Sequence, residues 1–319
     1  MSAVAVKRAK AASGPSRRRR KPVAKVPASG VEESKKPPQR KLPDTVLILL
    51  GTGTPIPEPA ASGPAFAIVR GGISYLVDCG PGIVRRAMAA AQAGAPGLAP
   101  TQLNRLFITH LHSDHTAGLP DIMLTPWVVG RQTPLEIYGP PGTRNMVDHI
   151  LAAYAEDISI RVGGLEHGDL RAVTPVVHEY KPGIIYQDRQ MKVRAFRVKH
   201  GTWPHAYGFR FESPDRTVVL SGDTRPFPGL ERNYKGADVL VHEAYCHAGF
   251  VRRTKDWQKY HGAFHTSTLQ LAKIANAARP GLLVMVHQLL FGGTPEIMVE
   301  ELQRDYKGPA IYGLDLMAI

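Results

Sequence analysis

Five short apolar runs in this chain each end, within three positions, in a histidine or an aspartate. These polar residues are His110, His200, Asp223, His242 and His287. The runs have the length of buried strands and alternate with segments predicted as helices, which predicts an α/β fold. Functional side chains in such folds collect in loops beyond the strand ends. The sequence therefore predicts a rim of site residues at one edge of a sheet.

The predicted elements start near Thr45. Val46–Leu50 is predicted as a strand that ends in a tight glycine-rich loop, and Ala65–Val69 and Ser74–Val77 as a hairpin. Further strands are predicted over Arg105–Thr109, Met191–Val198, Ala206–Phe211, Thr217–Leu220, Val239–Val241 and Leu282–Val286, and helices before Gly94, around Asp121, and over Thr143–Tyr154, Thr266–Ala278 and Pro295–Arg304. Residues 156–190 are predicted as mixed strands and loops.

The segment His110-Leu-His112-Ser-Asp114-His115 carries the strongest chemical signal. A lone histidine in a polar loop more often caps a helix or binds the backbone, but four potential ligands in six residues favour a metal site. The two imidazoles at i and i+2 can share one ion, while Asp114 and His115 can reach a second. Imidazole and carboxylate suit Zn²⁺, with Mn or Fe as alternatives. We therefore expect two divalent metal ions that hold a bridging hydroxide as the nucleophile.

Several segments carry a resemblance to a known family. Thr109–Gly118 resembles the signature of the metallo-β-lactamase fold superfamily. The family's loops at the strand ends resemble Leu49–Pro55, Leu76–Gly80 and Leu220–Thr224. Phe264–Ser267 and Leu283–His287 resemble the ribonuclease Z and arylsulfatase-like branch of the family. The resemblance runs from about Val46 to the end of the chain. It implies a four-layer αβ/βα sandwich with both metals at one edge between the sheets.

The resemblance also implies a division of the metal ligands. His110, His112 and His200 would hold the first metal, Asp114, His115 and His287 the second, and Asp223 would bridge the two. His205 is an alternative to His200. We favour His200 because it directly follows a predicted strand and keeps the family's distance to the segment Ala206-Tyr-Gly208.

Catalytic roles follow from the same resemblance for residues outside the ligand motif. His265 matches the residue that protonates the leaving group, and Glu243 matches its carboxylate partner. Such a pair is a good proton donor near neutral pH. The alternative is that Thr266 or Ser267 caps the next helix and His265 has no catalytic part. Asp114 is counted with His265 and Glu243 as catalytic.

Asp78 matches the family aspartate that accepts a hydrogen bond from a ligating imidazole, and we expect it to orient such a ring. The alternative for Asp78 is a loop cap before Gly80.

Most of the positive charge lies near the N-terminus. The chain has a net charge of +13, and residues 1–44 hold thirteen Lys and Arg against three acidic residues, leaving +3 for residues 45–319. This Ala-, Pro- and Ser-rich segment has no aromatic residue, so we predict a disordered basic tail followed by one hydrolase domain, residues 45–319. The tail could contact nucleic acid or an acidic surface, or could merely improve solubility.

The expected activity is that of a dinuclear metal-dependent hydrolase acting on a phosphodiester, a sulfate ester or a related small ester. A tRNA 3′-processing endonuclease is the alternative. It is disfavoured because Gly139–Gly142 resembles a short family loop in place of a long basic arm, and Pro57–Gly63 lacks an Arg-Asn pair. A β-lactam or lactone hydrolase and a non-catalytic nucleic-acid-binding module are further alternatives.

The expected partners are a small ester-like substrate or RNA, with a homodimer left open. The sequence offers no apolar run long enough for a membrane span, so no membrane contact is expected. With two cysteines only, a reduced cytoplasmic setting is expected, and an organelle-targeting role of the tail stays open.

Overall fold

The computed structural model describes residues 44–319, and the predicted tail, apart from its last residue, lies outside this range. Within the described range, no helix combines the length and the hydropathy that a bilayer crossing requires.

The described chain alternates strands and helices. The strands are β1 (Thr45–Gly51), β2 (Ala65–Arg70), β3 (Ile73–Val77), β4 (Arg105–Phe107), β5 (Glu136–Gly139), β6 (Val176–Glu179), β7 (Gly183–Gln187), β8 (Lys192–Arg197), β9 (Tyr207–Glu212), β10 (Thr217–Leu220), β11 (Val239–Tyr245), β12 (Leu282–Leu289) and β13 (Ala310–Tyr312). The helices are α1 (Ile83–Gln92), α2 (Ser113–Thr116), α3 (Leu119–Val128), α4 (Thr143–Ala153), α5 (Ala155–Gly163), α6 (Leu170–Val173), α7 (His247–Phe250), α8 (Lys255–Phe264), α9 (Thr268–Ala278) and α10 (Pro295–Asp305).

The strands form two mixed sheets. The first has six strands in the order β1-β2-β3-β4-β5-β6, antiparallel from β1 to β3 and parallel from β3 to β6. The second has seven in the order β13-β12-β11-β10-β9-β8-β7, parallel from β13 to β10 and antiparallel from β10 to β7. The carboxyl ends of the parallel strands in each sheet lie together, so the loops that follow them meet at one edge.

Three apolar cores separate four layers. One core lies between the first sheet and α1 and α3, the second lies between the two sheets, and the third lies between the second sheet and α9 and α10. Strand β1 shows how the sequence produces these layers. Leu47 and Leu49 pack in the core between the sheets, while Ile48 and Leu50 pack toward the helices. Alternate side chains point to opposite faces of a strand, so a continuous apolar run suits a sheet covered on both sides. The predicted four-layer αβ/βα sandwich is confirmed.

Helix starts follow local signals in the sequence. Ser267 caps α9. Its hydroxyl accepts a hydrogen bond from the backbone N–H of Gln270, and the side-chain oxygen of Gln270 accepts one from the backbone N–H of Ser267. Thr254 caps α8, and Thr294 caps α10 just before a proline in its first turn. The capping of α9 by Ser267 fixes the turn that carries His265.

Several stretches differ from the sequence prediction, and among them β5, β13 and the single turn α2 were not predicted. Residues 156–190 were predicted as strands and loops, but they contain most of α5 and all of α6 before β6 and β7 begin. The segment after β11 contains α7 and α8, which were not predicted. The predicted hairpin of β2 and β3 is confirmed, with Phe66 opposite Val77 and Arg70 opposite Ile73.

Candidate metal centre

Seven polar side chains from both sheets converge at the edge where the parallel strands end. His110 and His112 follow β4, Asp114 and His115 lie on the single turn α2, His200 follows β8, Asp223 follows β10, and His287 lies near the end of β12. Six of the seven are buried, and His112 is half-buried. Burying so many ionisable groups is costly unless they are paired or bind a cation.

The first group consists of His110, His112, His200 and Asp223. Nε2 of His110 lies 3.0 Å from Nδ1 of His112, and Nε2 of His200 lies 3.0 Å from the same atom. Imidazole nitrogens bound to one zinc ion at about 2.0–2.1 Å in a tetrahedron lie roughly 3.3 Å apart. The spacing of these nitrogens therefore fits a shared ion.

The second group consists of Asp114, His115 and His287. Oδ2 of Asp114 lies 3.1 Å from Nε2 of His287 and 3.5 Å from Nε2 of His115. Oδ2 of Asp223 lies 3.5 Å from both of these nitrogens and 3.8 Å from Nε2 of His200. Asp223 thus stands between the two groups, where one carboxylate could serve both.

The outer ring nitrogens of two histidines have fixed partners. Nδ1 of His115 lies 2.8 Å from Oδ2 of Asp78, and Nδ1 of His200 lies 2.9 Å from the backbone oxygen of Phe264. When Nδ1 donates to these acceptors, Nε2 is left with its lone pair directed into the cluster. Nε2 of His115 is buried and has no hydrogen-bond partner within residues 44–319. Such an orphaned acceptor fits a bound cation.

Burial and neighbouring charges set the protonation of the cluster. Desolvation lowers the pKa of His110 well below its ordinary value and lowers those of His112 and His200 to about 4, with neighbouring histidines adding to the effect. These three rings are therefore neutral at pH 7, as metal binding requires. Desolvation also disfavours charge on His115, but Asp223, Asp78 and Asp114 outweigh it and raise its pKa.

His265 and Glu243 lie beside the second group. Oε1 of Glu243 accepts from the backbone N–H of Thr266 at 2.9 Å and of Thr224 at 3.3 Å. Its Oε2 lies 3.5 Å from Nδ1 of His265, and neither atom has a hydrogen-bond partner within the described residues. Burial lowers the pKa of His265 to about 4, whereas burial and the charge of Asp223 raise that of Glu243.

The position of His265 also permits a second role. Its Nδ1 lies 3.9 Å from Oδ2 of Asp223, and it forms with Asp223 and His287 a third group of potential metal ligands. The geometry thus allows His265 to carry a proton or to bind an ion, and the two roles differ in their effect on metal content.

Two histidines named in the sequence analysis stand apart from the cluster. His205 is not part of any potential ligand group, whereas His200 is. His242 was placed on the predicted rim, and this is wrong: β11 continues to Tyr245, so His242 lies within the strand. Nε2 of His242 lies 3.3 Å from the hydroxyl of Tyr234, in the core on the helix side of the sheet. The next residue, Glu243, points to the site because side chains alternate along a strand.

Aromatic residues to which the sequence analysis assigned no role cover the first group. The indole nitrogen of Trp203 contacts Nε2 of His112, and the two ring centroids are 4.6 Å apart. The ring of Phe264 lies 4.9 Å from that of His200. Trp203 follows His200 by three residues in the same loop, which is the signal that could have identified it.

The backbone is strained at two residues of the centre. Asp78 and His287 have φ angles of 56° and 46°, in the left-handed region. Residues other than glycine are rarely found there, and such conformations concentrate at functional sites. The loop of Asp223 needs a glycine at position 222, where φ is 58° and a Cβ would lie 2.4 Å from the backbone oxygen of Tyr207.

A groove of 410 Å³ reaches the second group from the surface. It runs between the loop of residues 54–63 and the start of α2, and Asp114 is part of its lining. The loop Pro57–Gly63 therefore forms one wall of an access route to the centre.

Comparison with known proteins assigns the same region to a family. Residues 74–288 match the model of the beta-lactamase superfamily domain. The chain is 38% identical over 245 residues to a ribonuclease Z of Mycobacterium marinum, which covers 76% of this chain and 85% of that protein.

Solved structures share the fold. The human tRNase Z, short form, is 25% identical with a TM-score of 0.63, covering 86% of this chain and 98% of that chain. The metallo-beta-lactamase fold protein YhfI from Bacillus subtilis is 18% identical with a TM-score of 0.66, covering 86% of this chain and 99% of that chain.

Proposed function

This chain belongs to the ribonuclease Z-like branch of the β-lactamase superfamily of metal-dependent hydrolases, and we propose that it is a transfer RNA 3′-processing endonuclease. The observation that carries the proposal is the likeness to a protein named ribonuclease Z over 85% of that protein's length. From the sequence, a small phosphate or sulfate ester was the first expectation and tRNA processing its alternative. The relatives support the alternative better.

The proposed metal site uses the seven clustered side chains. His110, His112 and His200 would hold one ion, Asp114, His115 and His287 a second, and Asp223 both. Five imidazoles and two carboxylates suit zinc, with manganese or iron as alternatives. When bound, such ions supply an activated water and stabilise negative charge that develops on a phosphoryl group.

Protein groups around the ligands would hold them in position. Asp78 fixes the ring of His115 through Nδ1, and the backbone oxygen of Phe264 fixes the ring of His200. Asp78 also accepts from the backbone N–H of Thr109 at 2.7 Å, next to the first ligand His110. One buried carboxylate thus ties together two parts of the ligand segment.

His265 is neutral at pH 7, since burial lowers its pKa to about 4, while burial raises the pKa of Glu243. His265 would therefore pass its Nε2 proton to the leaving oxygen as Nδ1 takes up a proton from the Glu243 carboxyl. Its Nδ1 faces the carboxylate of Glu243, so Nε2 is the atom available to a substrate. Glu243 is held by two backbone N–H groups, which keeps its second oxygen directed at His265. A general acid placed in this way contributes roughly 100- to 10,000-fold to a rate.

A second candidate function is hydrolysis of a small phosphodiester or sulfate ester. One observation favours it: between α2 and β8, the longest connection between elements is residues 129–135, so no long arm extends from this described part of the chain. Residues 45–319 also carry a net charge of only +3, whereas binding of an RNA backbone is favoured by positive charge.

The metal-loaded full-length chain should be assayed in parallel on a precursor tRNA with a 3′ extension, bis(nitrophenyl) phosphate and a nitrophenyl sulfate. We expect cleavage of the precursor next to its acceptor stem. His112→Ala should abolish it and reduce bound metal, whereas His149→Ala, an exposed histidine of α4, should leave both unchanged. Hydrolysis of a small ester without cleavage of the precursor would contradict the proposal and support the second candidate.

A further inference from the structure

Helix α8 exposes two aromatic side chains beside the metal centre. Trp257 and Tyr260 are 48% and 43% exposed, and within residues 44–319 the one other aromatic residue exposed to this degree is Tyr154, which lies between α4 and α5. Exposed aromatic rings are costly in water unless they serve an interaction. Two exposed aromatic rings on one turn of a helix therefore indicate a binding surface.

A series of ring contacts joins this surface to the proposed ligands. The rings of Trp257 and Tyr260 are 5.6 Å apart, and Tyr260 stacks on Phe264 at 4.5 Å. Phe264 in turn lies 4.9 Å from the ring of His200, and its backbone oxygen holds that ring. A molecule bound on Trp257 and Tyr260 would thus lie next to the catalytic centre.

The start of α8 and the turn before it concentrate the positive charge of the folded region. Residues 252–259 contain four basic side chains, Arg252, Arg253, Lys255 and Lys259, against one acidic residue, Asp256. Their net charge of +3 equals that of residues 45–319 as a whole. All four basic residues are exposed, and the guanidinium of Arg253 lies 5.7 Å from the centre of the Trp257 ring.

We propose that the exposed face of α8, formed by Trp257, Tyr260, Lys255 and Lys259, binds single-stranded nucleotides of the RNA substrate beside the scissile phosphate. This inference rests on the proposed RNA substrate. Base rings stack on aromatic side chains, and basic side chains neutralise the phosphates between them. A protein partner would have to supply acidic side chains beside its apolar contacts, whereas every nucleotide of an RNA carries both a base and a phosphate. This α8 face supplies both features in place of a long arm.

The test is binding of a single-stranded 2′-O-methyl RNA of about twelve nucleotides, a length within the range of known single-strand sites. Fluorescence anisotropy is measured on the metal-loaded full chain and on the double variant Trp257→Ala/Tyr260→Ala. Loss of two stacking rings should weaken binding at least about tenfold. Tyr154→Ala, which removes an exposed aromatic ring elsewhere, should bind like the wild type.

A second variant tests the charges without altering the rings. Lys255→Gln/Lys259→Gln should reduce the slope of log affinity against log salt by about 1.4, since each phosphate contact on a single strand contributes about 0.7. The matched control is Arg171→Gln, which removes an exposed cation on α6. A slope equal to that of the wild type would overturn the assignment of these lysines.

Cleavage of precursor tRNA by the same proteins separates this inference from the proposed function. If the wild type cleaves the precursor and the aromatic double variant binds and cleaves equally well, the α8 proposal is wrong while the function stands. If the wild type cleaves no RNA but its binding depends on the two rings, the function is wrong while the RNA-binding face stands. If the wild type neither binds nor cleaves RNA, both are wrong.

Discussion

At the metal centre, the outer nitrogen of His115 faces a carboxylate, whereas that of His200 faces a backbone carbonyl. A carboxylate makes its ligand more basic and fixes its tautomer, so its removal weakens metal binding although no ligand is lost. The residue that supplies it, Asp78, is itself in the left-handed backbone region, with φ of 56°. Asparagine tolerates that conformation, so Asp78→Asn changes the charge and adds no strain to the backbone.

We predict that Asp78→Asn lowers metal affinity by roughly 10- to 100-fold. The amide nitrogen of the variant would face Nδ1 of His115 as a second donor, which disfavours the tautomer that directs Nε2 to the ion. Competition with a chromogenic chelator measures the affinity. Asp148→Asn, on the exposed face of α4, is the matched control. Equal affinities of variant and wild type would show that Asp78 has no part in holding the ligand.

His265→Ala distinguishes a proton donor from a ligand. If His265 protonates the leaving oxygen, the variant keeps its full metal content. Its rate should then fall about 100-fold or more for an alkoxide leaving group, and far less for nitrophenolate, which departs without a proton. Elemental analysis and a pair of phosphodiesters with these leaving groups measure both quantities. Loss of one metal equivalent would instead place His265 among the ligands, and His178→Ala serves as the surface control.

At the scale of elements, the first strand is anchored through its N-terminal residue. Asp215, in the turn between β9 and β10, accepts from the backbone N–H of Thr45 at 3.1 Å and from its hydroxyl at 2.7 Å, and it pairs with Arg70. Partial burial opposes ionisation of Asp215, but the bonds from Thr45 and Ser213 and the charge of Arg70 outweigh it. They lower the pKa of Asp215 to about 2.

Asp215→Asn should therefore destabilise the protein by about 1–2 kcal/mol at pH 7, the contribution of hydrogen bonds to a charged group. The folded pKa lies below the unfolded one, so this stability is present above about pH 4 and is lost as the pH falls toward 2. Urea unfolding at several pH values should show a difference from wild type that is constant above about pH 5 and shrinks below about pH 4. Glu300→Gln is the control, and a difference independent of pH would contradict the role of the charge.

The strands and the ligand loops were predictable because their signals are local. A run such as that of β1 is apolar on both faces, and the ligands follow such runs within a few residues. Helix α5 was not predicted, since its sequence contains Ile158, Ile160 and Val162, which favour strands. Packing of Ile158 and Val162, one helical turn apart, against the same core favours the helix. His242 was misplaced because β11 extends beyond its apolar run.

Contacts within the site were less predictable than its ligands. The resemblance to the family predicted that Asp78 orients a ligating imidazole, and the structure identifies that imidazole as His115. By contrast, the positions of Trp203 over His112 and of the Phe264 backbone beside His200 depend on how distant loops meet. Apolar side chains carry no spacing pattern that distinguishes a site wall from a core. The substrate-binding surface is therefore the part that required the three-dimensional structure.

On the scale of the whole molecule, the proposed metal centre joins the two sheets. His110 to His115 belong to the first sheet, whereas His200, Asp223 and His287 belong to the second. Across the rest of their faces the sheets are held together by an apolar core. An ion bound by ligands from both sheets acts as a cross-link that exists only in the folded state. Its binding energy therefore adds to the stability of the fold.

We predict that removal of metal by a chelator lowers the melting temperature without preventing folding, because the three apolar cores remain. Metal present at about 1,000 times its dissociation constant adds about 4 kcal/mol, which corresponds to a shift of roughly 10 °C for a domain of this size class. Differential scanning calorimetry of chelated and reloaded protein measures the shift. His112→Ala, which should bind less metal, should show a smaller difference between the two states, whereas His149→Ala should behave as the wild type. Equal melting temperatures at full and at zero metal content would mean that the two sheets do not depend on the ions for their association.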